Sequence, residues 1–140
     1  MFSMEYAAVS DIAFWKSLDR HLPESELLLK IQEKRCYIIK DDCVSIGVFR
    51  YNLFWDLIPF LTLIYIKDIY RHKGFGTQAM FQWEREMFSL GYTLSMTSTM
   101  AEETSQHFYR KLGYRDSGCL VKPFPPYDET MEMFMMKQLQ

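Results

Sequence analysis

At 140 residues, with 49% hydrophobic and 24% charged residues, the chain has the size and composition of one globular domain, residues 1–140, and not of a disordered segment. A formal net charge of −2 excludes nucleic-acid binding through a broad basic face, and no run of Lys and Arg marks a membrane-surface patch. Three cysteines, Cys36, Cys43 and Cys119, are odd in number and lack ligand spacing, so reduced thiols and no metal are expected.

The opening MFSMEYAAVSDIAF has no basic region leading into an apolar run, so no signal peptide is expected. A short strand is predicted over 3–8. Ser10 then reads as the N-cap of a helix reaching Leu18, with Ile12, Trp15 and Leu18 at helical spacing. A second helix follows Pro23, a residue suited to a first turn, and carries Leu27, Leu28 and Ile31. The period then changes to strands over 36–40 and 44–54, with Asp41-Asp42 as the turn. In the longer strand Val44, Ile46 and Val48 alternate with Ser45, Gly47 and Phe49. Leu57, Ile58 and Pro59 lead into a further strand over 60–66. The apolar stretch around 57–66 is far shorter than the roughly 20 residues of a membrane span, so a cytoplasmic protein without membrane contact is expected.

After Gly76 the period is helical again through Met80, Trp83, Met87 and Leu90, and Gly91 stands where a terminating glycine belongs. Residues 92–99 are strand-like, 103–112 helical and closed by Gly113, and 118–121 and 131–136 strand-like on either side of Pro123-Phe124-Pro125-Pro126. This order makes an α/β (α+β) domain with antiparallel strands first and one crossover helix leaving a glycine loop.

That loop is the informative segment. An apolar strand ends at Ile64, Tyr65 and Ile66. A basic turn follows, and a helix begins after Arg71, His72, Lys73, Gly74, Phe75, Gly76 and Thr77. The first N–H groups of a helix lack internal acceptors, and the helix dipole adds positive potential. Gly74 and Gly76 permit close backbone approach and positive φ. A pyrophosphate suits such a site, and a plain basic turn is the bland alternative. The run Gly74-Phe75-Gly76-Thr77-Gln78-Ala79 also matches the dinucleotide pattern G-x-G-x-x-A. That pattern needs an acid at the tip of the next strand, about 20 residues on, where this chain has Thr97-Ser98-Thr99-Met100. A P-loop is excluded because no Gly-Lys-Ser/Thr follows at the required spacing.

Arg71-x-x-Gly74-x-Gly76-Thr77 after an apolar strand resembles the acetyl-CoA signature R/Q-x-x-G-x-G/A of the GNAT N-acetyltransferase superfamily. A second block, Gln106-His107-Phe108-Tyr109-Arg110-Lys111-Leu112-Gly113-Tyr114, is similar to that superfamily's F-Y-x-K-L-G-F/Y helix end. The resemblance implies a GNAT-like mixed central sheet with antiparallel N-terminal strands, a splayed parallel pair at 61–66 and 92–99, and flanking helices. It implies acetyl-CoA as cosubstrate, with pantetheine on the main chain of Ile64, Tyr65 and Ile66 and pyrophosphate on the amides from His72 to Thr77. Arg71 and Lys73 add charge beside it. It also implies an N-acetyltransferase in which a primary amine attacks the thioester directly, with Tyr109 as general acid.

The base is less defined. The stretch 60–64 has no carboxylate, the second splayed strand offers Thr97 and Ser98, and a position often held by Asn before the tyrosine helix is Glu102. Asp56, in Phe54-Trp55-Asp56, and Glu102 or Glu103 are the candidates, beside His107 and a water chain to backbone carbonyls. The acceptor, a small-molecule or protein amine, would meet 15–29 and 122–129, which supply Phe124, Tyr127 and several acids. A non-catalytic acyl-CoA sensor on the same fold is the alternative, favoured by the missing strand carboxylate.

Overall fold

The computed structural model describes residues 1–140. Its strands are β1 (Phe2–Tyr6), β2 (Cys36–Asp41), β3 (Val44–Phe54), β4 (Ile58–Ile66), β5 (Leu94–Met100), β6 (Arg115–Leu120) and β7 (Glu132–Gln138). Its α-helices are α1 (Ile12–Leu18), α2 (Glu24–Glu33), α3 (Phe75–Ser89) and α4 (Ser105–Lys111). The mixed α/β class and the order of elements follow the pattern of hydrophobic periods. No helix is long and apolar enough to cross a membrane.

Several boundaries differ from expectation for local reasons. Ser10 does not cap α1; it lies inside a 3-10 turn (Val9–Asp11), and the Asp11 carboxylate accepts the Ala8 N–H at 2.8 Å. Pro23 occupies the N-cap of α2 and not its first turn. The β2–β3 turn falls on Asp42 and Cys43, both with φ in the left-handed region. Gly91 and Gly113 do terminate helices, with φ of 100° and 99°. Tyr92 N–H reaches back to the Met87 carbonyl and Tyr114 N–H to the Tyr109 carbonyl, each at 3.1 Å. These long backward bonds satisfy carbonyls the helix leaves open.

The chain divides into two compact units. The first comprises Met1–Asn52 and Leu61–Glu86. In it β1 pairs antiparallel with β2, and β2 with β3. One face of these strands carries Cys36, Ile38 and Val48 against Trp15 and Leu27 of the first two helices. The opposite face carries Tyr37, Phe49 and Tyr51, with Phe49 and Tyr51 ring centroids 5.3 and 5.6 Å from Trp83 of α3. Both faces are therefore covered, which is why Ile46 through Phe49 are all buried although their sequence alternates. Such a strand reads as a continuous apolar run, as in a sheet with helices on both sides.

A charge lies within this first unit. Asp19 is 3% exposed and accepts Arg50 Nε at 2.8 Å, Trp15 Nε1 at 3.1 Å and the His21 N–H at 3.2 Å. Burial works to raise its pKa, but the hydrogen bond and charge of Arg50 outweigh that and hold it below the ordinary value. The pair ties the segment between α1 and α2 to β3.

The second unit comprises Leu53–Phe60 and Met87–Gln140, with strands in the order β5-β7-β6, both pairs antiparallel. One face is polar and covered: Ser95 Oγ bonds the Tyr114 hydroxyl at 2.9 Å, and Thr99 Oγ1 bonds Ser105 Oγ at 2.7 Å. On the other face Phe134 packs against Phe54 and Phe60 at centroid distances of 6.3 and 5.8 Å.

Candidate active site

The loop between β4 and α3 is built by its own side chains. Asp68–Tyr70 forms a 3-10 turn. Arg71 Nε donates to the Ile66 carbonyl at 2.8 Å, Arg71 Nη1 pairs with Asp68 at 2.8 Å, and the guanidinium lies over the Tyr65 ring, 4.9 Å from its centroid. Arg71 thus braces the strand end against the turn. His72 and Gly74 then take φ of 61° and 86°, the reversal that lets the chain enter α3 at Phe75. Gly76 needs no positive φ, for it lies in the helix's first turn with Thr77.

The consequence is electrostatic. The backbone N–H groups from His72 to Thr77 donate to no other backbone group; the first to do so is Gln78, to the Gly74 carbonyl at 3.1 Å. These free donors stand at the N-terminus of a 15-residue helix, where aligned peptide dipoles favour an anion. His72 and Lys73 are exposed beside them. Nothing here resembles the acid-tipped strand of a dinucleotide site.

On β4, Tyr65 and Ile66 approach β3 closely. A Cβ on Gly47 would stand 2.7 Å from the Tyr65 carbonyl oxygen, so only glycine lets the two backbones meet. Ile64 is half-buried and Tyr65 exposed.

In the second unit Tyr109 of α4 is buried at 7% exposure. Its hydroxyl is hydrogen-bonded to the Thr97 side chain on β5. Burial pushes the phenol up to about 12, with Glu103 adding to the rise and the Thr97 hydrogen bond opposing it. Phe108 and Tyr114 flank the ring at centroid distances of 5.3 and 6.0 Å. Tyr109 is therefore a fixed phenol that keeps its proton across the neutral range.

The candidate bases lie elsewhere on the unit's surface. Asp56 is exposed at the tip of the β3–β4 hairpin with φ of 61°, next to Trp55 at 55°. Glu102 is exposed and without a hydrogen-bonding partner. Glu103 faces Thr99 and Ser105 at 3.3 Å each, and His107 is exposed. One carboxylate that the sequence does not single out is better held: Glu132 of β7 accepts the Ser98 hydroxyl at 2.7 Å. Only the pairing of β5 with β7 brings these two together, and no local motif signals it.

A family model for the Acetyltransferase (GNAT) family matches residues 5–114. No curated protein matches by sequence. Among solved structures, Ard1 from Thermoplasma volcanium is similar with a TM-score of 0.86 at 11% identity, over 99% of this chain and 98% of that one. A GNAT family acetyltransferase from Bacillus cereus has a TM-score of 0.76 at 22% identity, over 100% and 99% of the two chains. A GNAT family acetyltransferase from Elizabethkingia anophelis, solved with acetyl-CoA bound, has a TM-score of 0.78 at 15% identity, over 99% and 98%. These likenesses span the whole chain and give it the fold of those proteins.

Proposed function

Because the chain belongs to the acetyltransferase (GNAT) family, we propose that it moves the acetyl group of acetyl-CoA onto a primary amine, residues 1–140 acting as one catalytic domain. The observation that carries this reading is the row of uncommitted N–H groups from His72 to Thr77 at the start of α3. A pyrophosphate satisfies those donors, with Lys73 and the helix dipole supplying positive potential and Arg71 bracing the loop. Gly74 and Gly76 leave the backbone open to it, and Phe75 begins the helix. The main chain of Ile64, Tyr65 and Ile66 carries the pantetheine arm. The Elizabethkingia anophelis protein, with acetyl-CoA bound, supports the choice of cosubstrate.

In the reaction the amine nitrogen bonds to the thioester carbonyl carbon, the carbon–sulfur bond breaks, and sulfur leaves with the electron pair. Tyr109 supplies the proton that the thiolate takes. The phenol keeps its proton across the neutral range, so the proton is there to be donated as negative charge develops on sulfur.

Calorimetric titration with acetyl-CoA, with NAD and ATP as controls, tests the first half of the reading. Saturable binding of acetyl-CoA alone supports it; absence of binding returns the loop to an ordinary basic turn. Release of free CoA thiol in the presence of amines tests the second half, and binding without release from any amine identifies an acyl-CoA sensor.

A further inference from the structure

Strand β5 places two adjacent hydroxyls on opposite faces, as a period of two requires. Thr97 bonds Tyr109. Ser98, one residue on, donates to Glu132 Oε2 at 2.7 Å. In the β5–β7 pairing Ser98 faces Phe134 and Met100 faces Glu132, so Ser98, Glu132 and Phe134 share one face. Phe54, Phe60 and Phe134 form a triangle of rings with centroids 5.9, 6.3 and 5.8 Å apart, and each is only half-buried. A half-exposed apolar wall thus adjoins a carboxylate whose side chain is 23% exposed.

A plain ion pair with Lys122 explains this less well. Lys122 Nζ is 3.7 Å from Glu132 Oε1, beyond hydrogen-bonding distance, and it accounts neither for the Ser98 bond nor for the adjoining rings. Because the Ser98 proton is committed to Glu132, the lone pairs of Oγ are free to accept an N–H. This is the geometry of a relay in which the hydroxyl takes a proton as it gives one up.

We propose that Ser98 and Glu132 form the proton-accepting pair for the acceptor, and that the acceptor is an apolar primary monoamine whose carbon skeleton rests on Phe54, Phe60 and Phe134. The proposal rests on the acetyl-transfer reading and names its base and substrate class. The ammonium loses one proton to solvent, and the free amine bonds to the carbonyl carbon. The nitrogen, now positively charged, gives a second proton to Ser98 Oγ while Ser98 passes its own to Glu132 Oε2. The carbon–sulfur bond breaks, and sulfur takes the Tyr109 proton. Glu132 then returns a proton through water to the Tyr109 phenolate, leaving an amide, CoA thiol and one proton in solvent. Lys122 disfavours polyamines, because a second cation beside it would share one carboxylate.

The test uses the full chain, measuring thiol release at saturating acetyl-CoA with phenethylamine, hexylamine and spermidine. Phenethylamine and hexylamine are expected to exceed spermidine in kcat/KM by about tenfold or more, as one desolvated like-charge contact would give. Glu132→Gln, which can still accept the Ser98 hydroxyl, should lower kcat/KM by about 10²-fold or more. Ser98→Ala should lower it in the same direction. Acetyl-CoA affinity and melting temperature should stay unchanged in both variants. Glu132→Gln within about threefold of wild type, well short of the usual general-base effect, or a preference for spermidine, overturns the proposal. Acetyl-CoA binding without turnover of either monoamine also overturns it and leaves the nucleotide loop standing. Failure to bind acetyl-CoA overturns the acetyl-transfer reading itself, and this proposal with it.

Discussion

Replacing Gly47 with alanine perturbs the strand end on which acetyl-CoA is proposed to lie without touching that strand. The new Cβ would meet the Tyr65 carbonyl oxygen at 2.7 Å and Ile66 side-chain and Cα atoms at 3.1 and 3.3 Å. The nearest atom is backbone, so β4 must retreat until the contact reaches the ordinary 3.4 Å or more. Overpacking of this kind costs about 1–3 kcal/mol, while alanine's smaller unfolded-state freedom offsets about 0.5–1 kcal/mol. The expected net loss is about 1–2 kcal/mol. At this chain length that lowers the melting temperature by roughly 3–8 °C. The shift also moves the Ile66 carbonyl that receives Arg71, so the loop loses its brace and acetyl-CoA affinity should fall by about tenfold, or about 1.4 kcal/mol. Thermal unfolding by circular dichroism and calorimetric titration read the two effects. A variant that melts at or above the wild-type temperature and binds acetyl-CoA equally well would refute the reasoning, since β3 and β4 would then not approach so closely.

Tyr109→Phe should lower kcat by about 10²-fold while leaving the acetyl-CoA dissociation constant unchanged; steady-state kinetics with a saturating amine checks it. Asp19→Ala strands Arg50 in a buried site and should cost about 3–5 kcal/mol, measured by urea unfolding, whereas a loss below about 1 kcal/mol would mean the pair is solvated. Stability should also fall at high pH. The unfolded Tyr109 phenol ionises at about 10, the ordinary value for tyrosine, while the folded one holds its proton to about 12, so between those values the unfolded state binds fewer protons and the folded state loses ground as pH rises. The stabilisation is intact below pH 10 and falls by about 3 kcal/mol toward pH 12. Burial raises the Tyr37 phenol as well, with a hydrogen bond to Glu86 second, and acts in the same sense. Melting temperatures across pH 8–12 should show a shallower decline in Tyr109→Phe than in wild type.

The parts of this molecule that depend on neighbours in sequence were legible in advance. Strand β3 runs over Val44–Phe54 as its apolar alternation predicts. The glycine loop is local too: Gly74 reverses the chain and the helix starts beside it. The misplaced features are those that tertiary packing decides. Ser10 lost the cap to Asp11 because the chain enters α1 through a 3-10 turn. Trp55 and Asp56 do form the turn between two strands, as expected, but both take left-handed φ, which a bulky residue such as Trp55 seldom adopts and which no local signal announces. Glu132 was invisible as a partner of Ser98 because 34 positions separate them and only sheet pairing unites them. Asp56 and Glu102 drew notice as acids near aromatic or helix-end motifs, yet each is exposed and unbraced.

The alternation of Thr97 and Ser98 places a constraint on how β5 can change over evolutionary time. A residue inserted or deleted ahead of Thr97, absorbed by sliding the strand one position, would exchange the hydroxyl facing Tyr109 for the one facing Glu132 and turn Met96 toward α4. A change of two would restore both. Length variation in the segment entering β5 is therefore tolerated by parity: even steps preserve the two faces, and odd steps require a bulge to absorb the extra residue before position 97.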